Sequence, residues 1–310
     1  MQFPLFQPPT EWVMPDGYPD LSHAREVAID LETRDPNLTT MGSGWARKDG
    51  YIIGIAVAVD GDQWYFPIRH ELGSNLDPKT TIRWLQEVCS KDRDYIFHNA
   101  PYDVGWLLAE GVTIQGRIVD TMVVAPLLDE NRFSYALNAI GRDYLQERKS
   151  EKELREAAEA FGINAKSEMF KLPAAYVGAY AEQDAALTLR LWTHFKGLII
   201  KEDIGDIFDL ELKVLKTIIP MRQRGVCVDL EKAERIKVDL EQREKKLLDE
   251  IKKQSGIAVE LWAAESVSKA FDALGLEYSK TEKTGAPSFT KGFLANHPHE
   301  IPKMIVQARE

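Results

Sequence analysis

The sequence predicts an α/β fold, and three observations in chain order carry that expectation. A strand with two-residue periodicity, V-A-I-D-L-E-T (27–33), comes first. A hairpin follows, made of the apolar run 51–59, the turn D-G-D and the returning strand 63–67. Helical and strand periodicities then alternate as far as residue 120. Beyond residue 195 every periodicity is helical, so the division expected is a lead-in over 1–25, an α/β domain over 26–200 and a helical extension over 201–310.

Bulk properties narrow the function classes. A chain of 310 residues suits one large domain plus a smaller one, and 44% hydrophobic with 28% charged residues is ordinary globular composition. The net charge of -10 argues against binding duplex nucleic acid by a broad basic surface. Any nucleic acid would be gripped locally, where metal offsets acid. Cys89 and Cys227 are too far apart in sequence to suggest a disulfide framework or a thiolate metal site, so a reducing, cytoplasmic setting is expected. The N-terminus, M-Q-F-P-L-F-Q-P-P-T, lacks signal-peptide character, and no run approaches the roughly 18 apolar residues of a membrane span.

The elements follow in order. Residues 1–24 read as an extended lead-in with Phe6 and Trp12 available to pin it. Gly42, Gly44 and Gly50 mark 35–50 as a long loop. A helix is predicted over 79–90 and a buried strand over 95–97. Asn99 as N-cap and Pro101 in the first turn announce a helix that buries Trp106 and Leu107. A strand at 117–120, helices at 121–130 and 135–145, a solvated mixed-charge helix at 147–159 and a connection over 161–172 come next. A long helix is expected from Pro173 to Phe195, then helices over 206–224, 230–253 and 262–274 and a polar loop at 279–292. The 230–253 helix carries one narrow apolar stripe, Ala233, Ile236, Leu240, Leu247 and Ile251, suited to covering another helix.

Five residues do not fit a purely structural reading comfortably. Asp30 and Glu32 project from the same face of one strand, and carboxylates held that close repel unless a cation lies between them. An isolated D-x-E is otherwise just the wet face of an edge strand. Asp103 falls in the first turn of its helix, at the carboxyl edge of the sheet where α/β sites gather. Its plain alternative is an acid that merely complements the helix dipole. Asp184 interrupts the apolar row Val177, Tyr180, Leu187, Leu191, and it stacks one turn from Tyr180. The plain alternative for that pair is a tyrosine hydroxyl hydrogen-bonded to a buried aspartate.

Together the segments D-L-E-T (30–33), H-N-A-P-Y-D-V-G-W-L (98–107) and Y-A-E-Q-D-A-A-L-T-L (180–189) resemble the three motifs of DEDDy 3′-5′ exonucleases. More narrowly, the chain is similar to the proofreading domain of family A (Pol I-like) DNA polymerases, and 208–229 and 283–294 look like segments leading into the polymerase thumb. The resemblance implies an RNase H-like (DnaQ-like) fold, a mixed central sheet flanked by helices, followed by an all-α thumb-like extension. It implies two divalent ions, Mg²⁺ or Mn²⁺, as cofactors. Asp30, Glu32 and Asp184 would hold the first, Asp30 would bridge to the second beside Asp103, and Tyr180 would orient the attacking water. It also implies substrate contacts at Thr33, Asn99 and Arg132, on single-stranded or frayed DNA 3′ ends.

The sequence stops at Q-A-R-E (307–310), before the palm and fingers of that family. The expectation is therefore a proofreading exonuclease without polymerase activity of its own, partnered by a polymerase portion encoded in the same gene or as a separate chain. An RNase D-like RNA-trimming nuclease and a non-catalytic docking module are the competing readings. The resemblance places the protein in the cytoplasm of a bacterial or phage-infected cell.

Overall fold

The computed structural model describes residues 9–147 and 149–310; Phe6 lies outside them. The chain forms two compact units, Met1–Gly225 and Val226–Glu310.

In the first unit, strand β1 (Glu26–Arg34) leads into a short helix α1 (Leu38–Met41) and a 3-10 turn, Gly44–Arg47. The 35–50 segment, expected as loop, is thus partly helical. Its anchor is Trp45, which is buried against Gly105, where a Cβ would fall 2.2 Å from the indole. Next come β2 (Tyr51–Val59), β3 (Asp62–Pro67), helix α2 (Pro78–Cys89), β4 (Asp94–Phe97), α3 (Ala100–Ala109), β5 (Arg117–Asp120) and α4 (Thr121–Leu128). The sheet has the order β3-β2-β1-β4-β5. The tight turn makes β2 and β3 antiparallel, whereas the connections through helices bring β4 and β5 in parallel, so the sheet is mixed as expected.

The segment predicted as helix 135–145 is a short α5 (Leu137–Ile140) that widens into a π-helical turn, Gly141–Leu145. Helix α6 (Lys152–Phe161) begins later than the charge run suggested, and it buries Leu154, Ala157, Ala158 and Phe161 rather than standing solvated. Pro173 heads a 3-10 turn (Ala174–Tyr176), so the long helix α7 starts after it, spanning Gly178–Lys201. Helix α8 (Gly205–Arg224) packs Phe208, Leu212 and Ile219 into the first unit's cores. The sequence reading had assigned this helix to the extension that begins at 201.

The strands separate two cores. Ala28, Ala56, Ala58 and Tyr65 pack on the side of α7, and Val27, Ile29, Leu31, Ile55 and Val57 on the side of Leu85 from α2 and Trp106 from α3. Along β2 the α7 side carries the small residues Gly54, Ala56 and Ala58 beyond Ile53, which lets α7 lie directly on β2 and β3. Trp12 pins the lead-in as expected: its indole sits on Gly178 and donates to Glu182 at 2.8 Å.

The second unit contains α9 (Leu230–Ser255), α10 (Ala264–Ala273), a two-stranded ribbon of β6 (Ser279–Lys280) and β7 (Pro287–Ser288), α11 (Lys291–Ala295) and α12 (Glu300–Arg309). The ribbon lies in the stretch expected as loop. Ile251, Val267, Phe271, Leu294, Ile301 and Ile305 form its core. Of the α9 stripe only Ile251 is buried, while Ile236 and Leu240 stand exposed. Among the described residues, no helix is long and apolar enough to cross a membrane.

Candidate functional site

Strand β1 outruns its neighbour. Pairing with β4 ends at Ala28↔Ile96, so the next backbone groups on that side of β1 lack a strand partner. One of them, the Leu31 N–H, donates to Asp103 Oδ1 at 3.0 Å, which fixes the acid from α3 against the central strand. On the α7 side, Asp30 lies opposite Ala56 and Glu32 opposite Gly54. The small partners leave room above the sheet, and α7 fills it with Asp184.

Asp30, Glu32 and Asp184 each offer a carboxylate oxygen, and these atoms lie within 4.8 Å of one another. They are the only such group of potential metal ligands among the described residues. Asp103 stands beside it rather than in it, with one oxygen already engaged by Leu31. Asp184 is 5% exposed, and its Oδ1 is buried with no hydrogen-bond partner among the described residues. A buried carboxylate with one unpartnered oxygen, on an acid grouped with two others, is what a hard divalent cation would complete. The donor set is all oxygen, which fits Mg²⁺ or Mn²⁺ and not a thiolate-preferring metal.

Electrostatics agree with the crowding. Burial, then the Asp184 charge, pushes Asp30 up to about 7, against a partial pull downward from Lys149. Burial and then Asp30 raise Glu32 well above the usual carboxylate range. Asp103 is raised by burial and then by Asp30, although the Leu31 hydrogen bond opposes this. Burial also raises Asp184, against Lys149. Tyr180 is raised by burial and by Glu32, so its phenol keeps its proton.

The sequence reading missed the cation in this site. Lys149 donates to Asp184 Oδ2 and, at 3.2 Å, to the Tyr180 hydroxyl, with its side chain 7% exposed. Nothing in Q-E-R-K-S-E-K-E distinguishes this lysine from its solvated neighbours. Also missed were Asp120, whose carboxylate accepts the N–H groups of Asn99, Ala100 and Met122, and Tyr65, whose hydroxyl bonds His70 Nε2 at 2.7 Å beneath Gly54. The alternation of small residues in Y-I-I-G-I-A-V-A-V was a readable signal for the second of these.

The three expected substrate contacts lie in three different settings. Thr33 Oγ1 bonds the Tyr102 hydroxyl at 2.6 Å, next to a register shift between Glu32 and Thr33. Asn99 occupies the N-cap position with φ 77°, but its side chain makes no capping hydrogen bond and is exposed. Arg132 is folded into its own loop, ion-paired to Asp143 and over the Tyr144 ring at 5.0 Å.

The chain is 33% identical over its whole length to a DNA-directed DNA polymerase of Pseudomonas phage M6, of which it covers 48%. It is 27% identical to DNA polymerase DpoZ of Salmonella phage PMBT28, over 94% of this chain and 47% of that protein. Among solved structures, the POL domain of Pol1 from M. smegmatis in complex with DNA primer-template and dNTP shares the fold, with a TM-score of 0.65 and 17% identity over 93% of this chain and 46% of that one. The chain spans about half the length of these relatives. The family model for 3′-5′ exonuclease matches residues 17–200, which hold all four acids and Tyr180, and the chain accordingly belongs to the 3′-5′ exonuclease family.

Proposed function

We propose that this protein removes nucleotides from the 3′ ends of single-stranded or frayed DNA, in proofreading for a polymerase portion that is part of the same polypeptide or a separate chain. The observation that carries the reading is the convergence of Asp30, Glu32 and Asp184, two from the first motif and one from the third, around a buried carboxylate oxygen without a partner. Asp30, Glu32 and Asp184 would hold one Mg²⁺ or Mn²⁺, and Asp30 with Asp103 a second. Two such ions supply a water of lowered pKa and relief of charge on the leaving 3′ oxygen. Tyr180, protonated and one helical turn from Asp184, is suited to orienting the attacking water by a hydrogen bond rather than to taking its proton.

Thr33, Asn99 and Arg132 are the proposed contacts to the strand, and Arg132 would exchange Asp143 for a phosphate. The exonuclease portion is assigned to 26–200, with 201–310 as the start of a thumb-like region. The setting is the cytoplasm of a bacterial or phage-infected cell. The test is Mg²⁺-dependent shortening of a 5′-labelled single strand. Asp184→Ala is expected to slow it by at least about a hundredfold, the scale on which lost geometry slows a reaction. Activity that survives this substitution would refute the assignment. Matched RNA strands, expected to be trimmed more slowly, separate this reading from an RNA-trimming nuclease.

A further inference from the structure

Lys149 is one of the most enclosed charged side chains in the first unit, and its surroundings are specific. Its ammonium donates to Asp184 Oδ2 and to the Tyr180 hydroxyl, and lies 4.4 Å from the centre of the Tyr180 ring. The other Asp184 oxygen is the buried one without a partner. Lys149 therefore engages one Asp184 oxygen and leaves the other, Oδ1, without a hydrogen-bond partner among the described residues. A lysine ammonium only donates, so the Tyr180 oxygen is the acceptor in that bond, and the phenol's own hydrogen bond is with Asp184.

Resting on the nuclease reading above, we propose that Lys149 is a positioning residue, a resident cation that fixes the orientation of Asp184 and Tyr180 together and neutralises part of the acidic cup before metal binds. Charge supports this. Asp30, Glu32, Asp103 and Asp184 as carboxylates, with Lys149, two divalent ions and one phosphodiester, come to neutrality; without Lys149 the loaded site is left with a net negative charge. Burial makes such an imbalance costly, because desolvated charge must be paired. Geometry gives the second half of the role. A ligand held through its other oxygen keeps its free oxygen aimed, which is how groups behind metal ligands tune a site.

The test compares wild type with Lys149→Met and Lys149→Arg in the full chain, by thermal midpoint in EDTA and in saturating Mg²⁺ and by steady-state hydrolysis of a labelled strand. In Lys149→Met the EDTA midpoint is expected to fall by about 3 °C or more while the Mg²⁺ midpoint stays near wild type, so that Mg²⁺ raises the midpoint by more than it does in wild type. Its kcat is expected to fall about tenfold or more and its KM to rise, because the substrate-loaded site is then net negative, and Lys149→Arg to recover the EDTA midpoint. Equal losses in both buffers with kcat unchanged would overturn the proposal, since an ordinary structural ion pair behaves that way. Should the methionine variant not fold, Lys149→Gln gives the same comparison. A wild type without Mg²⁺-dependent hydrolysis would refute the nuclease reading, and the midpoints would still report on Lys149.

Discussion

Asp30 is the residue whose ionisation depends most visibly on what fills the cup. Its carboxyl is raised from the ordinary value of 3.8 to about 7, so without metal it adds stability below pH 3.8 and that contribution is lost as pH rises through about 7. His70 and His98, both lowered by burial to about 4, act in the opposite sense, because the folded state resists their protonation. The two effects separate in a difference measurement. The rise in thermal midpoint caused by Mg²⁺ is expected to be larger at about pH 8 than at about pH 5.5, since the histidine contribution is common to both arms. Gly54 is the second residue with a sharp expectation. A Cβ there would lie 2.0 Å from the buried Tyr65 hydroxyl, so Gly54→Ala should destabilise by about 1–3 kcal/mol in urea unfolding and blunt the Mg²⁺ response of Glu32 opposite it.

At the scale of elements, the approach of α3 to β1 depends on Asp120. That carboxylate accepts three backbone N–H groups, joining the end of β5 to the first residues of α3 and α4. Asp120→Ala is expected to cost about 1–3 kcal/mol and to lower hydrolysis by displacing Asp103, as measured by chemical denaturation alongside activity. The sequence made the strand, hairpin and helix order legible because alternation and helical spacing are local. It also exposed Asp184, which interrupts an apolar row, whereas Asp30, Glu32 and Asp103 keep to their local patterns and stood out through the three motifs they share with it. Lys149 stayed hidden because its partner lies 35 positions away with no local irregularity to mark it, and Asp120 because its local place as the N-cap of α4 gives no sign that it also holds Asn99 and Ala100 about 20 positions back. Helix beginnings were misjudged where a 3-10 turn intervened, as at Pro173, and the glycines of 35–50 concealed turns held by Trp45 against Gly105 and by hydrogen bonds from Arg47 and to Asp35 and Asp49.

At the scale of the whole molecule, each of the two compact units has its own core, and α8 belongs by packing to the first. A chain ending at Gly225 is therefore expected to fold, to melt in one cooperative step and to keep Mg²⁺-dependent trimming, as checked by calorimetry and a labelled-strand assay. The outer margin of the sheet carries a further consequence. The Tyr65 N–H on β3 points away from β2 and is taken at 2.9 Å by Glu182, the same carboxylate that receives the Trp12 indole. An open strand margin is a template on which another copy can polymerise, and here a helix-borne acid and the N-terminal lead-in plug it. The helix that carries Asp184 thus also covers a margin open to self-association.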